Sequence, residues 1–235
     1  MLLVLLLRHA ESTSNVGDDV EDPELTLTGV AQADAWRERT ASWSLDAILV
    51  SPMLRCIATA ARALGACNCS RWEVSPAARE HWWIHKQNRG RLAADLLPDL
   101  VDLPSHGLST ATIEDAVGAP SEHWDPVDEA KASKRSLGRR SAAATLALVN
   151  DLCARADRGA DRKIAVVCHW GTIAALSDAD APNAGVVGLV FAPAADRPAD
   201  PRWSCHRRAA ADLGWHWDVI GPFAADTPAI PCVEN

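Results

Sequence analysis

After Met1 the chain runs through six consecutive aliphatic residues, Leu2 to Leu7, and then switches abruptly to Arg8 and His9. An apolar run this short, bounded by polar residues, fits a strand buried on both faces better than an amphipathic helix. Two later runs have the same form: DAILV (Asp46 to Val50) and KIAVV (Lys163 to Val167), the second ending at Cys168 and His169. Each run is followed by a segment with helical periodicity. EDPELTLTGVAQADAWRERTASW reads as a loop feeding a helix, with Thr28 the predicted N-cap and Val30, Ala33 and Arg37 opening one face. In SPMLRCIATAARAL, Ser51 is the predicted N-cap and Pro52 the first helical residue, and Leu54, Ile57, Ala58, Ala61 and Leu64 recur at helical spacing. RRSAAATLALVNDLCARADRG gathers Leu146, Val149, Leu152, Cys153 and Ala156 on one face, and WGTIAALSD begins a further helix after His169.

Between about residues 65 and 138 the periodicity weakens, and the segment is predicted to be a cap-like insertion without a core of its own. The last forty residues, rich in Trp, Pro and Ala, give no assignable element. Short apolar strands that alternate with helices indicate an α/β fold: a three-layer sandwich, its central sheet mostly parallel, with helices on both faces. One domain is expected over 1–235. In such sheets ligands bind beyond the carboxyl ends of the strands. Those ends would bring Arg8, His9, Ser51, Arg55 and His169 to one edge.

Composition narrows the function classes. At 235 residues and 48% hydrophobic the chain can bury a sizeable core. No stretch approaches the ~20 apolar residues of a membrane span. The N-terminal run lacks a basic flank and a small-residue cleavage site, so no signal peptide is expected. Twenty-three Lys and Arg against 31 Asp and Glu give a net charge of −8, which disfavours non-specific nucleic-acid binding and anionic membranes. Seven cysteines without a framework spacing suggest a reducing compartment, so a cytoplasmic location is expected.

Two arginines and two histidines at one edge suit phosphoryl chemistry. Arginine offers a rigid fork of donors to phosphate oxygens and stays charged. A neutral imidazole can attack phosphorus, and a second can donate to an oxygen whose charge grows. Helix N-termini add backbone N–H groups. No metal or other cofactor is needed, but the leaving alkoxide requires a carboxylic acid opposite the nucleophile.

Three separated stretches, LRHAESTSN, VSPMLRCIATA and VVCHWGTI, resemble in order and spacing the motifs of the histidine phosphatase superfamily (phosphoglycerate-mutase-like proteins). LTLTGVAQA resembles a fourth pattern of that family. The resemblance runs loosely from residue 2 to about residue 190. It implies His9 as nucleophile, with Arg8, Arg55 and His169 binding the phosphoryl group. Asn15 matches a position that contacts the phosphoryl group or the substrate. The acid falls on Glu80 in AAREHWW, although Ala78 replaces a larger aliphatic residue. Trp170 stands where the family commonly has a small residue; its backbone N–H would still serve the phosphate while its side chain shapes the pocket. The glycine-rich stretch expected after the acid is replaced by IHKQNRGR.

The expected function is therefore that of a histidine acid phosphatase-like phosphomonoesterase acting through a phosphohistidine on a small phosphorylated metabolite. The alternatives are a phosphoglycerate-type phosphomutase and a catalytically idle phosphate-binding member of the fold. The mutase subgroup carries a tyrosine after its glutamate-arginine-histidine stretch, whereas this chain contains no tyrosine. A phosphoprotein substrate and a homodimer are left open by the sequence. HWWIH (His81 to His85) has a spacing that could hold zinc but supplies no third ligand. Trp82 and Trp83 are candidates to wall the pocket. Lys86, Arg89 and Arg91 form either a solvated basic face or a cluster that attracts the rest of an anionic substrate, and Glu11, a rival for the acid, is read as an ion-pair partner of Arg8.

Overall fold

The computed structural model describes residues 1–69, 71–81, 84–101, 103, 107–121, 123–159, 162–194 and 204–227. In chain order its elements are β1 (Leu2–Arg8), α1 (Leu27–Thr40), β2 (Ala47–Val50), α2 (Leu54–Leu64), β3 (Trp72–Val74), α3 (Ala93–Leu96), α4 (Thr110–Val117) and α5 (Pro126–Glu129). They continue with α6 (Lys134–Arg158), β4 (Lys163–Cys168), α7 (Trp170–Ser177), β5 (Val186–Pro193), α8 (Cys205–Asp212) and β6 (Trp215–Phe223).

The strands form one sheet in the order β3-β2-β4-β1-β5-β6. β1 is parallel to β4, and β2 is parallel to both β4 and β3. β5 and β6 extend the other side as antiparallel strands. The aliphatic run of β1 explains the layers, because successive side chains point to opposite faces. Leu3, Leu5 and Leu7 join a cluster with Ala33 and Trp36 of α1 and Ile57 and Ala60 of α2. Leu2, Val4 and Leu6 join the opposite cluster, with Leu148 and Leu152 of α6, Ile173 of α7 and Ala210 of α8. The α/β class and the two helical layers agree with the sequence reading. Of the antiparallel strands, β6 falls in the last forty residues, where no element is assignable from the sequence, and β5 lies just before them, where no strand is predicted.

Two helix starts are corrected. α1 is capped by Thr26, not Thr28: the Thr26 hydroxyl accepts from Gly29 N (2.9 Å) and donates to Glu11 Oε1 (2.7 Å). A Cβ on Gly29 would sit 1.9 Å from the Glu11 carbonyl oxygen, so only glycine lets this helix end approach the loop after β1. α2 begins at Leu54, with Met53 at the cap position rather than Ser51. The capping is done from far away in sequence, by Asp22 Oδ1, which accepts from Leu54 N at 2.9 Å. Ser51 is thereby free for another partner.

The segment 65–138 adds β3 to the sheet edge and extends the α1/α2 side of the core with Leu96, Ile113, Val117 and Trp124. Its anchor is a buried ion pair. Arg79 meets Glu129 with Nη1–Oε1 at 2.7 Å and Nη2–Oε2 at 2.9 Å. Arg79 also donates to the carbonyls of His123 and Asn88 and stacks 4.8 Å over the Trp124 ring. Among the described residues no helix is long and apolar enough to cross a membrane.

Burial alone would raise the Glu129 carboxyl, but the hydrogen bonds and charge of Arg79 outweigh it and hold the group below its usual value. A depressed carboxylate contributes stability that is complete above its unfolded-state pKa and is lost as pH falls through the folded one. Glu129→Ala leaves Arg79 buried without its counter-ion and is expected to cost about 3–5 kcal/mol in urea unfolding near neutrality. Unchanged stability would remove this pair as the anchor.

Candidate active site

Strand register assembles the site. Arg8 pairs with Cys168 across β1 and β4, and Val50 pairs with Val167 across β2 and β4. The residues one step beyond, His9, His169 and Ser51, therefore meet at the carboxyl edge where the parallel strands diverge. The rings of His9 and His169 lie edge to face with centroids 5.2 Å apart. A cavity of about 260 Å³ opens there. Arg8, His9, Asn15, Arg55, Glu80 and Trp170 all line it. Six of the seven residues predicted for the site thus share one wall, and His169 lies fully buried behind them.

His9 is 5% exposed, and its Nδ1 lies 2.8 Å from the carbonyl of Ala10. A carbonyl only accepts, so Nδ1 carries the proton and Nε2 keeps a lone pair for an electrophile. Burial first, and then the charge of Arg55, hold this imidazole well below its usual pKa, so it stays neutral.

The two arginines are set differently. Arg8 Nη1 donates to the carbonyl of Ala181 at 2.7 Å, while its buried Nε has no acceptor among the described residues. Arg55 is held by Gln87 O (2.9 Å) and Asn88 Oδ1 (2.8 Å), both from the cap, and its Nη2 donates to His169 Nδ1 at 3.1 Å. Nδ1 of His169 is therefore an acceptor, and its Nε2–H donates to Ser51 Oγ at 2.9 Å. Burial, and then Arg55, push His169 well below the usual imidazole range. Here His169 orients the Arg55 fork.

Glu80 is 9% exposed, and its oxygens accept from His81 N (2.6 Å) and Gly171 N (3.3 Å). Burial raises its pKa, outweighing those bonds and the two arginines, and this favours a protonated acid. Asn15 Oδ1 is taken by Ser12 N (2.9 Å) and by Asn183 Nδ2 (3.1 Å), so its amide N–H₂ is the end left for a ligand. Trp170 is 41% exposed and starts α7; its indole N–H donates to Asp180 Oδ1 at 2.8 Å.

Two expectations are corrected. Glu11 does not pair with Arg8: its carboxylate accepts from the Thr26 hydroxyl, and its backbone N–H is taken by Gln32 Oε1 at 2.9 Å. The basic cluster of the cap does not face the cavity. Lys86 Nζ donates to Asp19 O (2.9 Å), Arg91 pairs with Asp22 (3.1 Å) and Asp99 (2.8 Å), and Arg89 is not in the lining. The acidic loop after β1 and the acidic end of the cap meet these cations first. His81 and His85 do not converge on a metal: His81 Nδ1 bonds Thr145 Oγ1 at 2.8 Å, whereas His85 lines the cavity. No group of three His, Cys, Asp or Glu able to hold a metal occurs among the described residues. Trp82 and Trp83 lie outside the described residues.

Sequence reasoning missed Asp22, Gln87 and Asn88. Asp22 is buried beneath the site, 3.8 Å from Arg55 Nη1 and 3.1 Å from Arg91 Nε, and ties the cap to the start of α2. Only tertiary structure brings it there; no local motif marks it. Gln87 and Asn88 lie in IHKQNRGR, the stretch that departs from the family pattern.

Residues 4–103 match the family model of the histidine phosphatase superfamily (branch 1). No curated protein matches the chain. Among solved structures, mycobacterial hydrolase 1 is similar at 20% identity and a TM-score of 0.53, over 95% of this chain and 100% of that one. Mycobacterial hydrolase 2 gives 19% and 0.52 over 97% and 93%. A mycobacterial glucosyl-3-phosphoglycerate phosphatase, solved with VO3, gives 22% and 0.51 over 93% and 97%. These likenesses establish a shared fold.

Arg55→Lys keeps the charge but cannot reach Gln87, Asn88, His169 and an anion together. It is expected to weaken orthovanadate binding by at least about tenfold in calorimetric titration. Equal affinity would mean that Arg55 serves packing alone.

Proposed function

We propose that this chain, whose residues 4–103 fall in the histidine phosphatase superfamily, is a metal-independent phosphomonoester hydrolase working through a phosphohistidine on His9. The observation that carries the reading is the state of His9. It is a buried imidazole with Nδ1 committed to a carbonyl, and it shares the cavity wall with two arginines and a carboxyl group.

A phosphomonoester would place its phosphoryl oxygens against the forks of Arg8 and Arg55 and the amide of Asn15. His9 Nε2 attacks phosphorus, and the bond to the ester oxygen breaks. Glu80, whose hold on its proton is strengthened by burial, gives that proton to the departing alkoxide. In the second half water attacks the phosphohistidine, Glu80 takes the water's proton, and phosphate leaves as His9 recovers its lone pair. The guanidinium groups supply the electrostatic stabilisation. Hydrolysis, rather than return of the phosphoryl group to a product, fits a cavity that is open beside the half-exposed Trp170. The expected setting is the cytoplasm, and the expected substrate a small metabolite.

Rapid quenching under alkaline conditions during turnover should trap an acid-labile phosphate on the peptide containing His9. His9→Ala should lose both the label and turnover while staying folded. Label on another residue would reassign the nucleophile. Activity should also survive prolonged treatment with EDTA, since arginines provide the positive charge.

The acid is tested by leaving group and pH. General-acid help is typically worth about 10² to 10⁴ in rate, so Glu80→Gln should lose roughly that on an alkyl phosphate and far less on nitrophenyl phosphate. The active form needs His9 neutral and Glu80 protonated. The first holds to pH values well below 6.5, and the second persists above 4.5. The alkyl-ester profile should therefore be bell-shaped, falling in acid as His9 gains a proton and in base as Glu80 loses one. Equal losses on both esters with an unchanged basic limb would move the acid role to another carboxylate.

A further inference from the structure

The cavity is asymmetric in chemistry. Among the described residues its cationic side chains are Arg8 and Arg55, matched to the two charges of a phosphomonoester. Apart from the reacting groups His9 and Glu80, the rest of the described wall is neutral or amphipathic: Ser14, Asn15, Gln87 and Asn88, with the exposed imidazole of His85 and the indole of Trp170. Of the cap's cations, Lys86 donates to the backbone carbonyl of Asp19, Arg91 pairs with Asp22 and Asp99, and Arg89 lies outside the lining.

The rim carries the opposite sign. Trp170 presents 41% of its surface, and its ring is fixed by the 2.8 Å bond from its N–H to the exposed carboxylate of Asp180. Asp180 lies close enough to Arg8 to favour the charged guanidinium. A carboxylate or second phosphate on the alcohol would thus meet Asp180 within the ~8 Å over which charges act at physiological salt. A hydroxyl-bearing ring, in contrast, finds amide and hydroxyl partners and an apolar face to lie on, since an indole pairs an apolar body with a polar tip.

Resting on the hydrolase reading above, we propose that this site selects monophosphate esters of neutral, hydroxyl-rich alcohols of the sugar or polyol class. Trp170 serves as the platform for the alcohol, and Asp180 both holds the indole and turns away a second anion. In this chain the bulky residue after the second histidine becomes a determinant of specificity. An alcohol bearing a fixed positive charge would gain from Asp180 but would leave the amides and hydroxyls of the wall unused.

The experiment compares kcat/KM for a hexose 6-phosphate and glycerol 1-phosphate with that for 3-phosphoglycerate, which adds a carboxylate, and phosphocholine, which adds a cation. Ethyl phosphate and nitrophenyl phosphate are the references. The neutral polyol esters should exceed 3-phosphoglycerate by at least about tenfold and also exceed phosphocholine. Asp180→Asn should raise kcat/KM for 3-phosphoglycerate more than for the hexose ester. Trp170→Gly should raise KM for the hexose ester more than for ethyl phosphate, which has no ring to lay on the indole. A wild-type enzyme that prefers 3-phosphoglycerate or phosphocholine overturns the inference while leaving the hydrolase reading intact. So does an Asp180→Asn change that moves both esters alike. If no ester is hydrolysed, nitrophenyl phosphate included, the hydrolase reading falls and this inference with it.

Discussion

The cavity depends first on the pairing of β1 with β4, from Leu3 opposite Lys163 to Arg8 opposite Cys168. Strand side chains alternate, so a slip of one residue would send Leu3, Leu5 and Leu7 to the face now held by Leu2, Val4 and Leu6. It would also separate His9 from His169. Register is held because both faces of β1 are buried under helices and neither face tolerates the other's set. The same hydrophobic pattern that builds the core therefore fixes the relation between the two imidazoles, and no residue of the site has to define it.

The second constraint is the burial of positive charge. Arg55 and Arg79 are both 2% exposed or less, and each is bound by groups that reach across the sequence. Arg79 has a full carboxylate partner in Glu129, which spends its charge on holding the cap. Arg55 has carbonyl, amide and imidazole acceptors, with the nearest carboxylate, Asp22, at 3.8 Å. A guanidinium whose hydrogen bonds go to neutral acceptors, with its carboxylate partner at longer range and shared with Arg91, keeps more of its field available to an incoming anion. The two buried arginines differ in use because they differ in partner.

How much of this could be read in the chain follows from the range of the interactions. β1 and β4 are legible because a strand buried on both faces leaves an unbroken aliphatic run. Arg8, His9, Arg55 and His169 stand directly at the ends of such runs or one helical turn beyond. β3 is three half-buried residues, WEV, too short for any period to register. β6 does alternate, with Trp215 and Trp217 inward and Asp218 outward, but Gly221 and Pro222 break the pattern before it can be told from a loop. Thr26 and Thr28 are equally good caps in isolation, and the contact of Gly29 with the Glu11 carbonyl decides between them. Ser51 looked like a helix cap because Ser-Pro is a strong local signal. Asp22, 32 residues before the Leu54 that it caps, takes that role, and no local pattern could announce it.

The arrangement around His169 has a bearing on thiol chemistry. Cys56 Sγ lies 3.4 Å from His169 Nε2, a spacing that in an open site would suggest an activated thiolate. The thiol is fully buried, and burial pushes it up to about 12. Cys168, also fully buried, is raised by the same cause. The thiolate is the form that reacts with oxidants and alkylating agents, so both sulfurs are protected while the sheet is closed. Their labelling by a maleimide would thus measure the opening of the central sheet, giving this fold a pair of built-in reporters of its own unfolding.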